Sequence, residues 1–117
     1  MVSVEGTGAA HFEPAVVLVL DGRVPVGGQM ALEEFLAEAV PYYQEPGGIH
    51  VQLHWERDDV CCFREIIEYE SVQGFEADDE RTRSDPRMRE YLARWRRLVD
   101  GDALMTVWNP VEFRFNH

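Results

Sequence analysis

Lysine is absent from this sequence of 117 residues, and all eleven basic residues are arginines. Aspartates and glutamates number 22, so the formal net charge at pH 7 is −11. Because phosphate contacts require a basic surface, this charge argues against a nucleic acid as partner. Seven arginines crowd into residues 81–97. They form either a solvated helix face, paired with the acidic run that precedes them, or a patch that faces an anion.

Long apolar runs are also lacking. No stretch of 18 or more apolar residues occurs, which argues against a membrane-spanning helix. Residues 1–14 lack the basic start and apolar stretch of a secretory signal, so we expect a mobile arm and a cytoplasmic protein. The only two cysteines, Cys61 and Cys62, are adjacent, and a bridge between neighbours would be strained. We therefore expect two free thiols and no metal site.

The length is that of one domain, which we place over residues 1–117, with its core at about 15–109 and a tail at about 110–117. The apolar run 15–20 is typical of a central strand buried on both faces, and Asp21 and Gly22 should end it. Apolar residues then recur at helical spacing and predict a helix over 29–43, in which Pro41 ends or kinks the last turn.

The next segment holds polar residues in a strand pattern. Apolar and polar residues alternate from 49 to 56, so His50, Gln52 and His54 share one face of a strand. A two-residue turn at Asp58-Asp59 would lead into a partner strand over 60–70 and place Gln52 opposite Glu65. We therefore predict that His50, Gln52, His54 and Glu65 lie on one face of this hairpin.

The last third of the chain predicts two helices and a strand. Ser71 can cap a helix over 72–83, with Val72, Phe75 and Ala77 facing inward. Asp85-Pro86 starts another helix, whose apolar residues keep helical spacing as far as Val99. Residues 103–108 alternate like a final strand.

This order of strands and helices predicts a ferredoxin-like, split βαβ α+β sandwich with a four-stranded antiparallel sheet. Its helices would cover one face of the sheet. A second copy of the chain would cover the other face, so we expect a homodimer.

Three short motifs carry a resemblance to a known family. A Glu-Pro-Gly turn at 45–47 leads into the second strand, the pair Glu68-Tyr69 ends the third, and Ser84-Asp85-Pro86 starts the last helix. In this layout the chain resembles the antibiotic biosynthesis monooxygenase family of dimeric α+β barrels, over about residues 15–109. The resemblance implies a homodimer whose two sheets close into a barrel, with a pocket in each subunit between sheet and helices.

The resemblance also implies an activity. Characterised members include cofactor-free oxygenases that deprotonate a polycyclic phenol or quinol, whose anion then reacts with O₂ directly, so we expect a small aromatic substrate and no cofactor. Haem-degrading members rely on a tryptophan and a histidine nine residues later. The corresponding positions here hold Tyr69 and Asp78, which argues against haem degradation. The alternative is a non-catalytic dimeric module that binds a ligand or supports assembly on the same fold.

His54, His50 and Glu65 are the catalytic candidates, because histidine and carboxylate side chains can accept a substrate proton. The two histidines lie about 13 Å apart on a strand, too far to share a metal ion. The same polar residues fit a solvated or dimer-facing surface equally well. Arg64 and Glu68 fit structural ion pairs, either across the dimer or within the sheet. The candidates for substrate binding are the amide residue Gln52 and four aromatic residues, Trp55, Tyr69, Tyr91 and Trp95. An aromatic substrate would stack on the four aromatic rings.

Overall fold

The computed structural model describes residues 12–113. Most of the predicted arm and the end of the predicted tail lie outside these residues. The elements follow in the predicted order: β1 Val16–Arg23, α1 Gln29–Tyr43, β2 Ile49–Trp55, β3 Cys62–Tyr69, α2 Val72–Ser84, α3 Pro86–Leu98 and β4 Leu104–Trp108. The four strands form one antiparallel sheet in the order β2-β3-β1-β4, which confirms the ferredoxin-like α+β fold.

Helix limits agree closely with the sequence signals. The Ser71 hydroxyl accepts from the Gly74 amide at 2.9 Å and caps α2, while the Asp85 carboxylate accepts from the Met88 amide at 3.3 Å and caps α3. Helix α1 passes through Pro41 and ends two residues later. The inward face predicted for α2 is partly wrong, because Val72 and Ala77 are exposed and only Phe75 packs inward, edge-on against Tyr69.

Strand β1 extends beyond its predicted end to Arg23, so Asp21 and Gly22 do not break it. Both residues have a partner on β3. The Arg64 guanidinium donates to the Asp21 carboxylate at 2.7 and 3.2 Å. A Cβ at position 22 would lie 2.8 Å from the Phe63 ring, so glycine lets that ring pack directly on the backbone. Within the subunit Arg64 therefore pairs with Asp21 and not with Glu68, whereas pairing across a dimer stays a prediction.

The register of the β2-β3 hairpin differs from the prediction by one residue. Leu53, not Gln52, lies opposite Glu65, and Gln52 lies opposite Ile66. The connection is longer than a two-residue turn: the Glu56 amide bonds to the Cys62 carbonyl at 2.9 Å, which leaves residues 57–61 as the loop. A shift of one residue moves every side chain of a strand to the opposite face. Glu65 therefore lies on the helix side of the sheet, and the predicted shared face with His50, Gln52 and His54 is wrong.

The helices cover one face of the sheet, as expected. The main core lies there, between α1, α3 and the β2-β3 half of the sheet. An ion pair from Arg94 to Glu38, with contacts of 2.8 and 2.9 Å, joins α3 to α1. Arg81 of α2 donates to the Tyr42 and Tyr43 carbonyls at the end of α1, both at 3.0 Å. Within residues 12–113, no helix is long and apolar enough to cross a membrane.

Candidate functional site

A cavity of about 340 Å³ lies between the helix side of the sheet and helices α2 and α3. That volume is within the range of small-molecule pockets. Its walls are mainly apolar, and a few charged side chains of α2 and α3 also line it. Its lining includes Leu18, Tyr43, Glu65, Ile67, Tyr69, Asp78, Met88 and Trp95.

Glu65 is the buried carboxyl of this cavity. Only 2% of the residue is exposed, and the Trp95 indole Nε1 of α3 donates to its Oε1 at 3.1 Å. Burial disfavours the carboxylate and raises the pKa of Glu65 from 4.5 to about 7, although the hydrogen bond from Trp95 partly opposes this rise. The group therefore exchanges its proton near neutral pH, in the wall of a mainly apolar cavity.

A second polar group of the cavity joins β3 to α2. The Tyr69 hydroxyl donates to Asp78 Oδ2 at 2.5 Å, and the Arg81 Nε lies 3.5 Å from Asp78 Oδ1. Burial raises the pKa of Asp78, while the hydrogen bond from Tyr69 and the charge of Arg81 oppose the rise. Burial and the adjacent Asp78 carboxylate raise the pKa of Tyr69. Tyr69 is therefore a neutral donor that is committed to Asp78.

Tyr43, at the end of α1, is the third polar group. Its ring packs edge-on against Tyr91 with the centroids 6.0 Å apart, and 8% of the residue is exposed. The hydroxyl is buried and makes no hydrogen bond with any residue of the described range. Burial, and to a smaller extent the charge of Glu65, raise the pKa of Tyr43, so its hydroxyl stays protonated.

The structure brings three of the predicted site residues together and separates the rest. Glu65, Tyr69 and Trp95 line the cavity. Trp55 and Tyr91 are on the helix side but belong to the core: the Trp55 indole donates to Glu33 at 2.8 Å, and the Tyr91 hydroxyl accepts from Arg87 at 3.2 Å.

His50, Gln52 and His54 lie on the opposite, open face of the sheet, where His54 and Gln52 share a hydrogen bond of 3.1 Å. The cavity of this subunit therefore does not involve them. Among residues 12–113, no three histidine, cysteine or carboxylate side chains converge as metal ligands do.

Sequence reasoning missed Tyr43 and Asp78 as cavity residues. Tyr43 lies on the apolar stripe of α1, which is the pattern of an ordinary core residue. Asp78 lies in an acidic run expected to be solvated, and that expectation holds for its neighbours Asp79 and Glu80, which pair with Arg83 on the surface. The available signal for Asp78 was its spacing: it lies nine residues after Tyr69, at the position where haem-degrading members have histidine.

No family model matches the sequence, and no curated protein matches it as a relative. Solved structures do match the fold. One, from Bordetella bronchiseptica, is assigned to the antibiotic biosynthesis monooxygenases. It is 17% identical to this chain with a TM-score of 0.69, and the alignment covers 86% of this chain and 100% of the Bordetella chain. A second structure with the same assignment, from Chloroflexus aurantiacus, is 18% identical with a TM-score of 0.63. The alignment covers 86% of this chain and 96% of the Chloroflexus chain.

A third match is SnoaB, a cofactor-independent oxygenase from Streptomyces nogalater, here as a single-residue mutant. It is 16% identical with a TM-score of 0.69, and the alignment covers 84% of this chain and 94% of SnoaB. At such identities the likeness concerns the fold. The chain therefore has the ferredoxin-like α+β fold found in the antibiotic biosynthesis monooxygenases, as the resemblance of its sequence predicted.

Proposed function

We propose that this protein is a cofactor-independent monooxygenase that oxidises a phenol- or quinol-type aromatic substrate in the cavity, with Glu65 as the proton acceptor. The observation that carries the proposal is the buried Glu65 carboxyl, with a pKa of about 7, in the wall of an apolar cavity. A general base works best when its pKa is close to the operating pH. The fold shared with SnoaB, a cofactor-independent oxygenase, supports the same reaction class.

The proposed reaction assigns a task to each group. The Glu65 carboxylate takes a proton from the substrate, and the resulting electron-rich anion reduces O₂ and forms a carbon–oxygen bond to it. Protonated Glu65 returns the proton to the peroxide, which loses water and leaves a carbonyl group. For anthrone the ring CH₂ becomes C=O: one oxygen atom of O₂ enters anthraquinone and the other leaves as water. The substrate itself supplies the electrons.

Trp95 acts on the base rather than on the substrate. Its indole N–H donates to Glu65, which orients the carboxyl and limits the rise of its pKa. The apolar walls formed by residues such as Leu18, Ile67 and Met88 exclude water, so the substrate anion is not quenched before it meets O₂.

A homodimer belongs to the proposal. The open face of the sheet carries Val17 and Ile66 next to Leu104 and Trp108 of β4, which are 63% and 58% exposed. Burying such a face against a second copy removes apolar surface from water. His50, Gln52 and His54 would then lie at or near the interface, and a catalytic role for either histidine stays a prediction.

Oxygen uptake tests the reaction. Purified protein with anthrone should consume O₂ and form anthraquinone without added flavin, haem or metal, above the rate of anthrone autoxidation in buffer. Glu65→Gln should lower the rate by roughly 10²-fold or more. The control is Glu68→Gln, which makes the same change on the open face of the same strand and should keep the parent rate.

Two results would contradict this assignment. Uptake that begins only after flavin or metal is added would refute the cofactor-independent mechanism. Tight binding of aromatic compounds without turnover would favour the non-catalytic binding module on the same fold.

A further inference from the structure

The arginine-rich segment 81–97 divides into paired and unpaired side chains. Four of its seven arginines have a carboxylate or a tyrosine as partner within the subunit: Arg81, Arg83, Arg87 and Arg94. The other three, Arg89, Arg96 and Arg97, make no ion pair or side-chain hydrogen bond with any residue of the described range 12–113. A solvated helix face with paired charges therefore accounts for only part of the segment.

Two of the unpaired arginines lie beside the cavity. Arg89 and Arg96 line a second, more open depression along α3, which we call the α3 hollow. Three residues of its wall, Thr82, Leu92 and Arg96, also line the cavity, so the two spaces adjoin and Arg96 lies on their boundary. Arg97, the next residue in the chain, lines neither space.

The helical spacing of α3 explains this placement. Met88, Leu92 and Arg96 follow at intervals of four residues and so share one face of the helix, where the first two are apolar wall residues of the cavity. The small side chain of Ala93 lies on the wall of the α3 hollow between Arg89 and Arg96. Both arginines are exposed, so a ligand can reach them from the solvent.

The charge of the α3 hollow is opposite to that of the whole chain. Its wall holds Arg89 and Arg96 against Glu90, which leaves one positive charge in excess, whereas the formal net charge of the chain is −11. On the wall of the cavity, Arg83 and Asp79 form an ion pair of 2.7 Å and neutralise each other. An anion is therefore repelled by most of this protein and attracted to the α3 hollow.

We propose that Arg89 and Arg96 bind the carboxylate of a ligand whose aromatic ring occupies the cavity. A guanidinium group matches a carboxylate in shape and can donate two parallel hydrogen bonds to it. The ligand class is an aromatic carboxylate, in which a short tether joins ring and acid group across the boundary at Arg96. This inference rests on the proposed function for the ring and deepens it, because it adds an acidic group to the phenol or quinol substrate.

The test compares 1-naphthylacetate with 1-naphthylacetamide, which have the same ring system and nearly the same shape but differ in charge. Their binding to the full chain is measured by calorimetry at about pH 6, where the naphthylacetate is ionised and Glu65 is mostly protonated. The parent should bind the carboxylate about 10-fold more tightly than the amide, since two exposed guanidinium groups recognise it. That preference should shrink between about 0.05 M and 0.5 M salt, because exposed charges are screened.

Arg96→Gln should lose most of the preference for the carboxylate and keep the affinity for the amide. Its melting temperature should not fall, because the Arg96 side chain has no ion pair within residues 12–113 to lose. Arg89→Gln should reduce the preference as well. Arg97→Gln is the matched control: it removes the same charge from the next residue of α3, which lines neither space, so it should keep the parent preference.

Three results would overturn the inference: a parent that binds both compounds alike or binds neither, an Arg96→Gln or Arg89→Gln variant with the parent preference, or an equal loss of preference in Arg97→Gln. The last result would show only a general effect of helix charge. These outcomes are separate from the fate of the proposed function. A parent that prefers 1-naphthylacetate but does not oxidise anthrone retains this inference and refutes the oxygenase. A parent that oxidises anthrone but binds the two naphthyl compounds alike retains the oxygenase and refutes this inference.

Discussion

Replacing Glu65 by glutamine should stabilise the protein at pH 8 and leave its stability nearly unchanged at pH 4. Glutamine is close in shape to a protonated glutamic acid, and its amide oxygen can still accept from the Trp95 indole. At low pH the substitution therefore exchanges one neutral hydrogen-bonded group for another. At high pH it replaces a carboxylate that has been ionised inside an apolar cavity, which is the costly state.

The magnitude follows from the pKa of Glu65. Burial raises it from 4.5 to about 7, and one pKa unit corresponds to about 1.4 kcal/mol. Between these two pH values the folded protein keeps a proton that the unfolded chain has lost, so the free energy of unfolding falls as pH rises. The contribution of Glu65 is fully present below pH 4.5 and is lost as pH passes through about 7. The total loss is about 3 kcal/mol, as an order of magnitude.

The assay is urea unfolding followed by tryptophan fluorescence, at steps from about pH 4 to pH 8.5 and one fixed protein concentration. The difference between the parent and Glu65→Gln at each pH cancels every ionisation that the two proteins share. That difference should grow from near zero to about 3 kcal/mol, most steeply between pH 5 and 7.

A constant difference between the parent and Glu65→Gln across the whole pH range would refute the reasoning. It would mean that Glu65 titrates alike in the folded and unfolded chains, and the carboxyl would then not be the buried base that the proposed reaction requires.

Three further predictions follow from the same contacts. The rate of anthrone oxidation by the parent should rise with pH around a midpoint of about 7, since the Glu65 carboxylate is the reactive form, and a rate independent of pH from 5 to 9 would contradict this assignment. Light scattering coupled to gel filtration should give twice the 13.5 kDa mass of the chain at micromolar concentration, and a clean monomer of the parent would refute the dimer. His54→Ala should weaken the association of the two subunits, while binding of an aromatic compound such as 1-naphthol in the cavity survives. Tyr69→Phe should lower the free energy of unfolding by about 1–3 kcal/mol at pH 7, because Asp78 loses its donor, and an unchanged urea midpoint would show that this hydrogen bond contributes nothing.

Signals that are local in the chain predicted the helices well. The apolar spacing from Gln29 to Tyr43 and the capping residues Ser71 and Asp85 place helix limits through contacts between near neighbours, and the structure confirms them. The end of β1 was predicted poorly, because Asp21 and Gly22 favour a turn locally. Their partners on β3, Arg64 and Phe63, are about 40 residues away, and such long-range contacts override local preference.

The candidate site divides in the same way. Periodicity alone placed His50, Gln52 and His54 on one strand face, and the structure confirms that they share it. It could not place Glu65 relative to them, because that placement depends on the loop between the two strands. Tyr43 and Asp78 likewise join the cavity only because α1, α2 and β3 meet there.

The sequence by itself determined the order of the elements, the ferredoxin-like fold and the alternation of each strand. Only the tertiary structure decided on which face of the sheet each polar residue lies. The physical reason is the period of two in a β-strand: the loop 57–61 shifts the register of the hairpin by one residue from the prediction, which places Glu65 in the cavity and not on the predicted polar face. In the cavity, burial raises the pKa of this carboxyl to about 7, so it can act as a base near neutral pH.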